Sequence, residues 1–461
     1  MADPAFQRDR VLPGDSELVL LARRVVGWTG LGEEVEVFAT KGVETDVRAY
    51  DGEVESLSEA MSAGVGIRVL RGGRQGFAYA GTLDERVVER TFAEARDNAS
   101  FATPDEHVDL ASPDGVEPVW LDLVDESLAS LSTRDKVEMA LDLERRVRKG
   151  DSRVRQVPSA DYSDVIAEAA VVSSRGIEAF ACRSACHLSV SAICGEGLDS
   201  HSGSGFTVGR GPGELVPDHA ARQAIERAAR LIGASKARSG TFTIVFDPRV
   251  TSTVLSVVSS ALSGESVTKG RSFFADRLGE EVAVTGMTLV DDPTDPRAFG
   301  ASTYDAEGLA SRRNVLIGSG VLAGFVFDTT SARRAGVAST GSAVRGGYSS
   351  TPIAGCRALS LAPGSGSFDE IVQRVGDGMY VQSVTGVHSG VNPVSGDFSV
   401  GAEGLMIRGG ALAEPVREVT IASTLQRMLQ SVAFIGSDVD WLPGVAAGQT
   451  IAITGMTLSG Q

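Results

Sequence analysis

The sequence predicts an α+β chain of two domains, a helix-and-sheet domain over residues 1–235 and a β-rich domain over residues 236–461. Three observations predict it. The 461 residues exceed what one hydrophobic core ordinarily holds. Stretches of helical and of alternating period interleave as far as Gly233. Past a Ser/Lys/Arg/Gly linker at Ala234 to Gly240, the pattern turns to glycine-rich short strands.

Leu18, Leu21, Ala22 and Val25 share one face of a first helix from about Asp15 to Val26, with Asp15 or Ser16 placed to cap it. Val47 to Tyr50 and Glu53 to Ser58 flank Asp51-Gly52, a hairpin turn. Gly64 to Leu70 and Gly76 to Tyr79 flank Arg71-Gly72-Gly73-Arg74, a second hairpin. Thr82 and Glu85 read as a capping box that opens a helix to about Ala99, with Val88, Phe92 and Ala95 inward. The Pro- and Asp-rich residues 101–130 read as a long connection. Ser132 or Thr133 caps the next helix and Gly150 ends it.

Residues 160–197 read as antiparallel strands with a turn at Ser174-Arg175-Gly176. Gly203 to Gly213 reads as a flexible loop, and Asp218 opens a helix to about Gly233. In the second domain, Thr241 to Phe246 is a strand. Asp247-Pro248 supplies an N-cap and a first-turn proline for a helix to about Leu262. Thr450 to Leu458 is a last strand. Its Ile453 to Leu458 (ITGMTL) echoes Val284 to Leu289 (VTGMTL), too short a match to establish a repeat.

Composition narrows the function. The net charge of −17 and the absence of a basic cluster argue against nucleic acid as a partner. The densest basic run, Arg145 to Lys149, sits where it complements a helix C-terminus. No run of about 18 apolar residues appears, so no membrane span is expected. The polar start argues against a secretory signal, so the cytoplasm is the expected compartment. There, Cys182, Cys186, Cys194 and Cys356 are expected as reduced thiols.

A helical zinc-protease site needs two histidines one turn apart, so that both imidazoles reach one ion beside a water-activating glutamate. The five histidines are His107, His187, His201, His219 and His388, and no two of them have that spacing. The chain cannot build such a helix, so no catalytic residue and no metal ligand are assigned. Cys182, Cys186, His187, Cys194 and His201 form the only dense soft-ligand group. Cys182 and Cys186 would lie about 13 Å apart in an extended strand unless Arg183-Ser184 turns sharply, so packed thiols are the expectation. Cys356 sits in a turn-like setting and also reads as a packed thiol. No G-x-S-x-G elbow and no G-x-x-x-x-G-K-[ST] phosphate loop occurs.

The segment Gly386 to Gly410 (GVHSGVNPVSGDFSVGAEGLMIRGG) alternates glycine with polar and apolar residues. It reads either as hairpin turns between core strands or as an interface loop. In the second case His388, Asn392 and Asp397 are the candidate substrate or partner contacts.

Residues 386–425 resemble the C-terminal signature of the TldE (PmbA) subunits of the TldD/TldE family, also called modulators of DNA gyrase. The resemblance lies in GVNPVSGDFSVGAEGLMIRGG followed by PVREVTIAST. Ser263 to Phe273 (SGESVTKGRSF) resembles a second TldE region. Val43 to Tyr79, with VGIRV at 65–69 and GFAY at 76–79, resembles the N-terminal domain shared by TldD and TldE. The resemblance implies a two-domain PmbA/TldD-like fold and a heterodimer. A TldD-like partner would carry the zinc, and this chain would carry no cofactor. The pair would trim extended or unfolded peptide. Where a TldD-like chain has its metal helix, this one has roughly Ala261 to Gly270, with serine and glycine in place of histidine. Two other readings stay open here: a stand-alone hydrolase or peptide-tailoring enzyme with a Ser, Cys or His centre, and a non-catalytic homodimeric scaffold.

Overall fold

The amphipathic helix α1 (Glu17–Val26) buries Leu18, Leu21, Ala22 and Val25, the face read from its period. It opens the computed structural model, which describes residues 16–461. Three strands follow: β1 (Glu34–Tyr50), β2 (Glu53–Arg71) and β3 (Arg74–Ala80). Asp51 and Gly52 both take positive φ, as an Asp-Gly hairpin turn requires. The helices α2 (Glu85–Phe101), α3 (Glu126–Ser130) and α4 (Thr133–Gly150) come next. Strands β4 (Val154–Ser173), β5 (Glu178–Cys194) and β6 (His201–Gly209) and helix α5 (Pro217–Ala229) complete this half.

The strands form one antiparallel sheet in the order β3-β2-β1-β4-β5-β6. Helices cover one face. Val35, Val37 and Ala39 of β1, with Ala170 and Val172 of β4, pack in one core with residues of α1 and α2. Further along, Val47, Ala49, Tyr162 and Leu188 pack in another with α4 and α5. The opposite face presents Phe38, Val171 and Ala179 to Tyr304 and Leu309 of the C-terminal half.

Two local readings need correction. Asp84, not Thr82, caps α2: its Oδ1 accepts from the N–H groups of Arg86 and Val87 at 3.1 and 3.2 Å. Glu85 is then the first helical residue, two positions short of the third helical place where a capping-box glutamate sits. Residues 201–209 are strand, not flexible loop. Their glycines serve close packing, since a Cβ at Gly205 would stand 1.9 Å from the Ala220 carbonyl oxygen of α5. The cysteine reading stands: β5 runs unbroken through Arg183-Ser184, and no turn brings Cys182 to Cys186.

The C-terminal half begins with β7 (Gly240–Phe246), α6 (Pro248–Ala261) and the short α7 (Gly264–Thr268). Asp247 caps α6 through the Arg249 N–H at 2.9 Å, as its Asp-Pro start predicts. Short strands β8 (Leu289–Asp291), β9 (Asn314–Gly318) and β10 (Val321–Leu322) precede α8 (Thr329–Ala335). After β11 (Ala343–Val344), β12 (Ile353–Ala354), β13 (Leu359–Leu361) and α9 (Phe368–Val375) come the long strands. These are β14 (Gly378–Thr385), β15 (Asp397–Arg408) and β16 (Ala411–Thr424), with α10 (Val387–Gly390) between the first two. Helix α11 (Leu425–Gln430), β17 (Val432–Ile435) and β18 (Ile451–Ser459) end the fold.

The main C-terminal sheet has the order β16-β15-β14-β7-β18-β17, and β16 also pairs with β18. That extra pairing curls the sheet into a ring around Ile244, Phe246, Met379, Ile421 and Ile453. The two ITGMTL-like segments differ: Ile453 to Leu458 lies within β18, whereas only Leu289 of the first reaches a strand. Among the described residues no helix is long and apolar enough to cross a membrane.

Candidate functional site

Where the helix-free face of the N-terminal sheet meets the C-terminal half, a cleft of about 560 Å³ remains. Its sheet wall combines small side chains, among them Thr40, Gly42, Ala167, Ala169 and Ala181, with Phe38, Glu44 and Phe180. The facing wall is mostly loop: Gly300 to Ser302, Arg345 to Gly347 just after β11, and Gly444-Val445. The main chain of the sheet wall is already paired within the sheet, so main-chain groups for an extended guest would come from the glycine-rich loops of the facing wall. Charge enters at Lys41, which lies 3.4 Å from Glu168 across β1 and β4, and at Arg183, Arg345 and Arg357.

A buried ionic network lies at the same junction. On β1, Val35-Glu36-Val37 alternates apolar and charged, and Ile67-Arg68-Val69 does the same on β2. Both charges therefore point away from the helices, toward the C-terminal half. Arg68 grips Glu36 through two parallel hydrogen bonds of 2.9 and 2.6 Å. Arg345 donates to the same carboxylate and, through Nε, to the Ala306 carbonyl at 2.9 Å. Glu307 comes within 3.5 Å of Arg68 and accepts from the Thr329 N–H and hydroxyl at 2.9 and 2.8 Å.

Burial opposes ionisation of Glu36, but Arg345 and Arg68 outweigh it and hold its carboxyl below the usual range. Glu307 goes the other way. Burial lifts its carboxyl to about 8; Arg68 opposes the rise, while Asp305, Asp328 and Glu36 add to it. Arg357 is fastened by the Tyr304 carbonyl at 3.0 Å, the Gly341 carbonyl at 2.8 Å and the Ser311 hydroxyl at 2.9 Å. Nothing local in the sequence announces this network as a whole. Its partners are as much as 309 positions apart, and the only local signal is a lone charge between β-branched residues in each strand.

The cleft sets no imidazole beside the hydroxyls and thiols that line it. Cys356 borders the cleft but is buried, and burial pushes its thiol well above the ordinary range. Cys186 is likewise raised, to about 12, by burial first and then by Asp164. His388, Asn392 and Asp397 lie elsewhere, exposed at one end of the C-terminal sheet. Asn392 Oδ1 accepts from the Val394 and Ser395 N–H groups at 2.9 and 3.3 Å, and Asp397 Oδ2 accepts from the Ser395 hydroxyl at 2.6 Å. Asn392 and Asp397 thus share one turn, with His388 on α10 just before it.

Comparison with known proteins decides the family. Sequence models of the PmbA/TldA metallopeptidases match residues 35–99 (domain 1), 126–232 (central domain) and 239–460 (C-terminal domain). The chain belongs to the PmbA/TldD metallopeptidase family. Metalloprotease PmbA of Escherichia coli O157:H7 is 26% identical over 449 residues, 96% of each chain. A metalloprotease TldD homolog of Haemophilus influenzae is 28% identical, covering 87% of this chain and 86% of its own. The crystal structure of TldE from Thermococcus kodakarensis superposes with a TM-score of 0.88 over 96% of this chain and 99% of its own; at 22% identity it speaks for the PmbA/TldD fold alone.

A metallopeptidase family implies a metal, and the residues present do not fit one. Across Ala261 to Gly270, α6 ends at Ala261 and α7 starts afresh at Gly264, so no continuous helix carries the segment. A Cβ at Gly264 would stand 2.1 Å from the Phe327 ring, which leaves no room for an imidazole there. Glu265 is engaged by Lys269 one turn on. Among the described residues, no three His, Cys, Asp or Glu side chains converge as a metal site.

Proposed function

We propose that this chain is the metal-free, TldE-like subunit of a heterodimeric TldD/TldE-type zinc metallopeptidase. A TldD-like partner supplies the zinc. This subunit completes the chamber and holds extended peptide in the cleft between its two halves, against main-chain groups of Gly300, Gly346 and Gly347. The observation that carries the reading is the histidine pattern: the imidazoles are scattered over His107, His187, His201, His219 and His388, and Phe327 fills the space beside Gly264. His388, Asn392 and Asp397 are proposed as exposed contacts for partner or peptide. The cytoplasm is the proposed compartment, in keeping with four cysteines that form no disulfide.

The test compares this chain alone, the TldD-like subunit alone and the pair, each assayed for zinc by mass spectrometry and for cleavage of an unstructured peptide. We expect no stoichiometric zinc on this chain, no cleavage by it alone, and faster cleavage by the pair than by the partner. Zinc-dependent cleavage by this chain alone would overturn the reading. So would a partner that cleaves as fast without it at matched zinc occupancy.

A further inference from the structure

The least covered part of the N-terminal sheet is the first half of β2. Every residue from Glu53 to Ser62 is exposed, so both faces of the strand meet solvent. One edge of this stretch pairs with β1. β3 pairs with β2 only from Val65 onward, so among the described residues no strand takes the other edge from Glu53 to Gly64. An edge of that length presents a row of outward main-chain N–H and C=O groups.

Its side chains say more. Val54, Leu57 and Met61 are 41%, 45% and 76% exposed. Their β1 partners are Ala49, Val47 and Val43, and Val47 and Ala49 are buried in one core with Ala140, Leu143 and Val147 of α4. The exposed stripe therefore continues a helix-covered core face past the rim of its helix. Free edges are commonly guarded by lysine or proline, and Glu53 to Ala63 contains neither. It carries Glu53, Glu55 and Glu59 instead, beside exposed Glu44 and Asp46 on β1.

These features select the occupant. A lone extended peptide would satisfy the main chain but leave Leu57 and Met61 without a second layer. A second copy fits poorly. Antiparallel self-pairing centred on Ser58 sets Leu57 opposite Glu59, and centring on Glu59 sets that carboxylate opposite itself. A folded partner that brings a strand with basic side chains, and a layer behind it, meets every demand. Resting on the heterodimer reading above, we infer that Glu53 to Ala63 is the partner-facing edge. There a strand of the TldD-like subunit, with Lys or Arg facing these carboxylates, extends the sheet across the heterodimer.

The experiment uses the full-length chain and the purified TldD-like subunit. Leu57→Lys with Met61→Lys should weaken the heterodimer roughly tenfold or more, while the isolated chain keeps its thermal midpoint because both side chains are exposed. Val337→Lys, another exposed apolar site, should leave affinity unchanged. Hydrogen exchange at 53–63 should slow when the partner binds. Wild-type affinity in the double variant, with no protection at 53–63, would overturn the inference and leave the heterodimer standing. No association of the wild-type chains would overturn both. Protection of 53–63 in the chain alone at high concentration, or on adding an unstructured casein peptide, would overturn the choice of occupant.

Discussion

The Arg345 guanidinium donates to the Glu36 carboxylate across the junction of the two halves, and both side chains are buried. Glu36 is thus shared between an arginine of its own sheet and one from the C-terminal half. Arg345→Ala removes the cross-junction partner and leaves a buried carboxylate with Arg68 alone. Breaking a buried pair from one side costs about 3–5 kcal/mol. Urea unfolding should show that loss, and adding Glu36→Gln should recover part of it. An unchanged midpoint for Arg345→Ala would mean the pair adds nothing to the junction.

Glu307 predicts a pH dependence of definite sign. Its carboxyl is raised from 4.5 to about 8 in the folded chain, so between those values the folded state holds a proton that the unfolded state has released. The stabilisation is fully present below pH 4.5 and is lost as pH rises toward 8. Glu307→Gln cannot release that proton. The midpoint of the variant minus that of wild type should therefore climb steadily from pH 5 to pH 8. A flat difference would show that Glu307 ionises normally.

The Phe327 ring makes Gly264 a test of the metal argument. Gly264→Ala should destabilise by about 1–3 kcal/mol through overpacking, read by thermal unfolding. Ser260→His with Gly264→His restores an i, i+4 spacing on paper. Because α6 stops at Ala261, the two positions do not lie on one helix, and the variant should bind no stoichiometric zinc. Retained zinc at one equivalent would contradict the break.

Thiol labelling separates the cysteines. Cys186 and Cys356 are buried and raised, Cys194 is buried and raised too, and Cys182 is only partly buried. Maleimide at pH 8, followed by peptide mapping, should modify Cys182 first and Cys356 last. Rapid labelling of Cys356 would instead mark it as an accessible thiol of the cleft.

Sequence patterns carried the local elements well because their signals are local. The face of α1, the Asp51-Gly52 turn, the Ser132 cap of α4 and the Asp247 cap of α6 each depend on residues within one turn. Strand length did not read as well. β2 runs to 19 residues although its first half has no buried face, because pairing with β1 holds it and not an apolar pattern. The glycines of β6 misled for the opposite reason: their purpose is the approach of α5, which no neighbouring residue announces. Of the site, the missing histidine pair was legible by inspection. The cleft and the Glu36, Arg68, Arg345 and Glu307 network were not, since they exist only once the two halves meet.

β1 is hydrogen-bonded on one side to β2 and on the other to β4 along nearly its full length. The family's first and central domains thus share a single hydrogen-bonded fabric. Severing the polypeptide in the connection at 102–125 would strip β4 of its neighbour and bare two long seams at once. Chimaeras between related chains should therefore exchange residues 16–232 as one piece, with the crossover placed in the linker before β7.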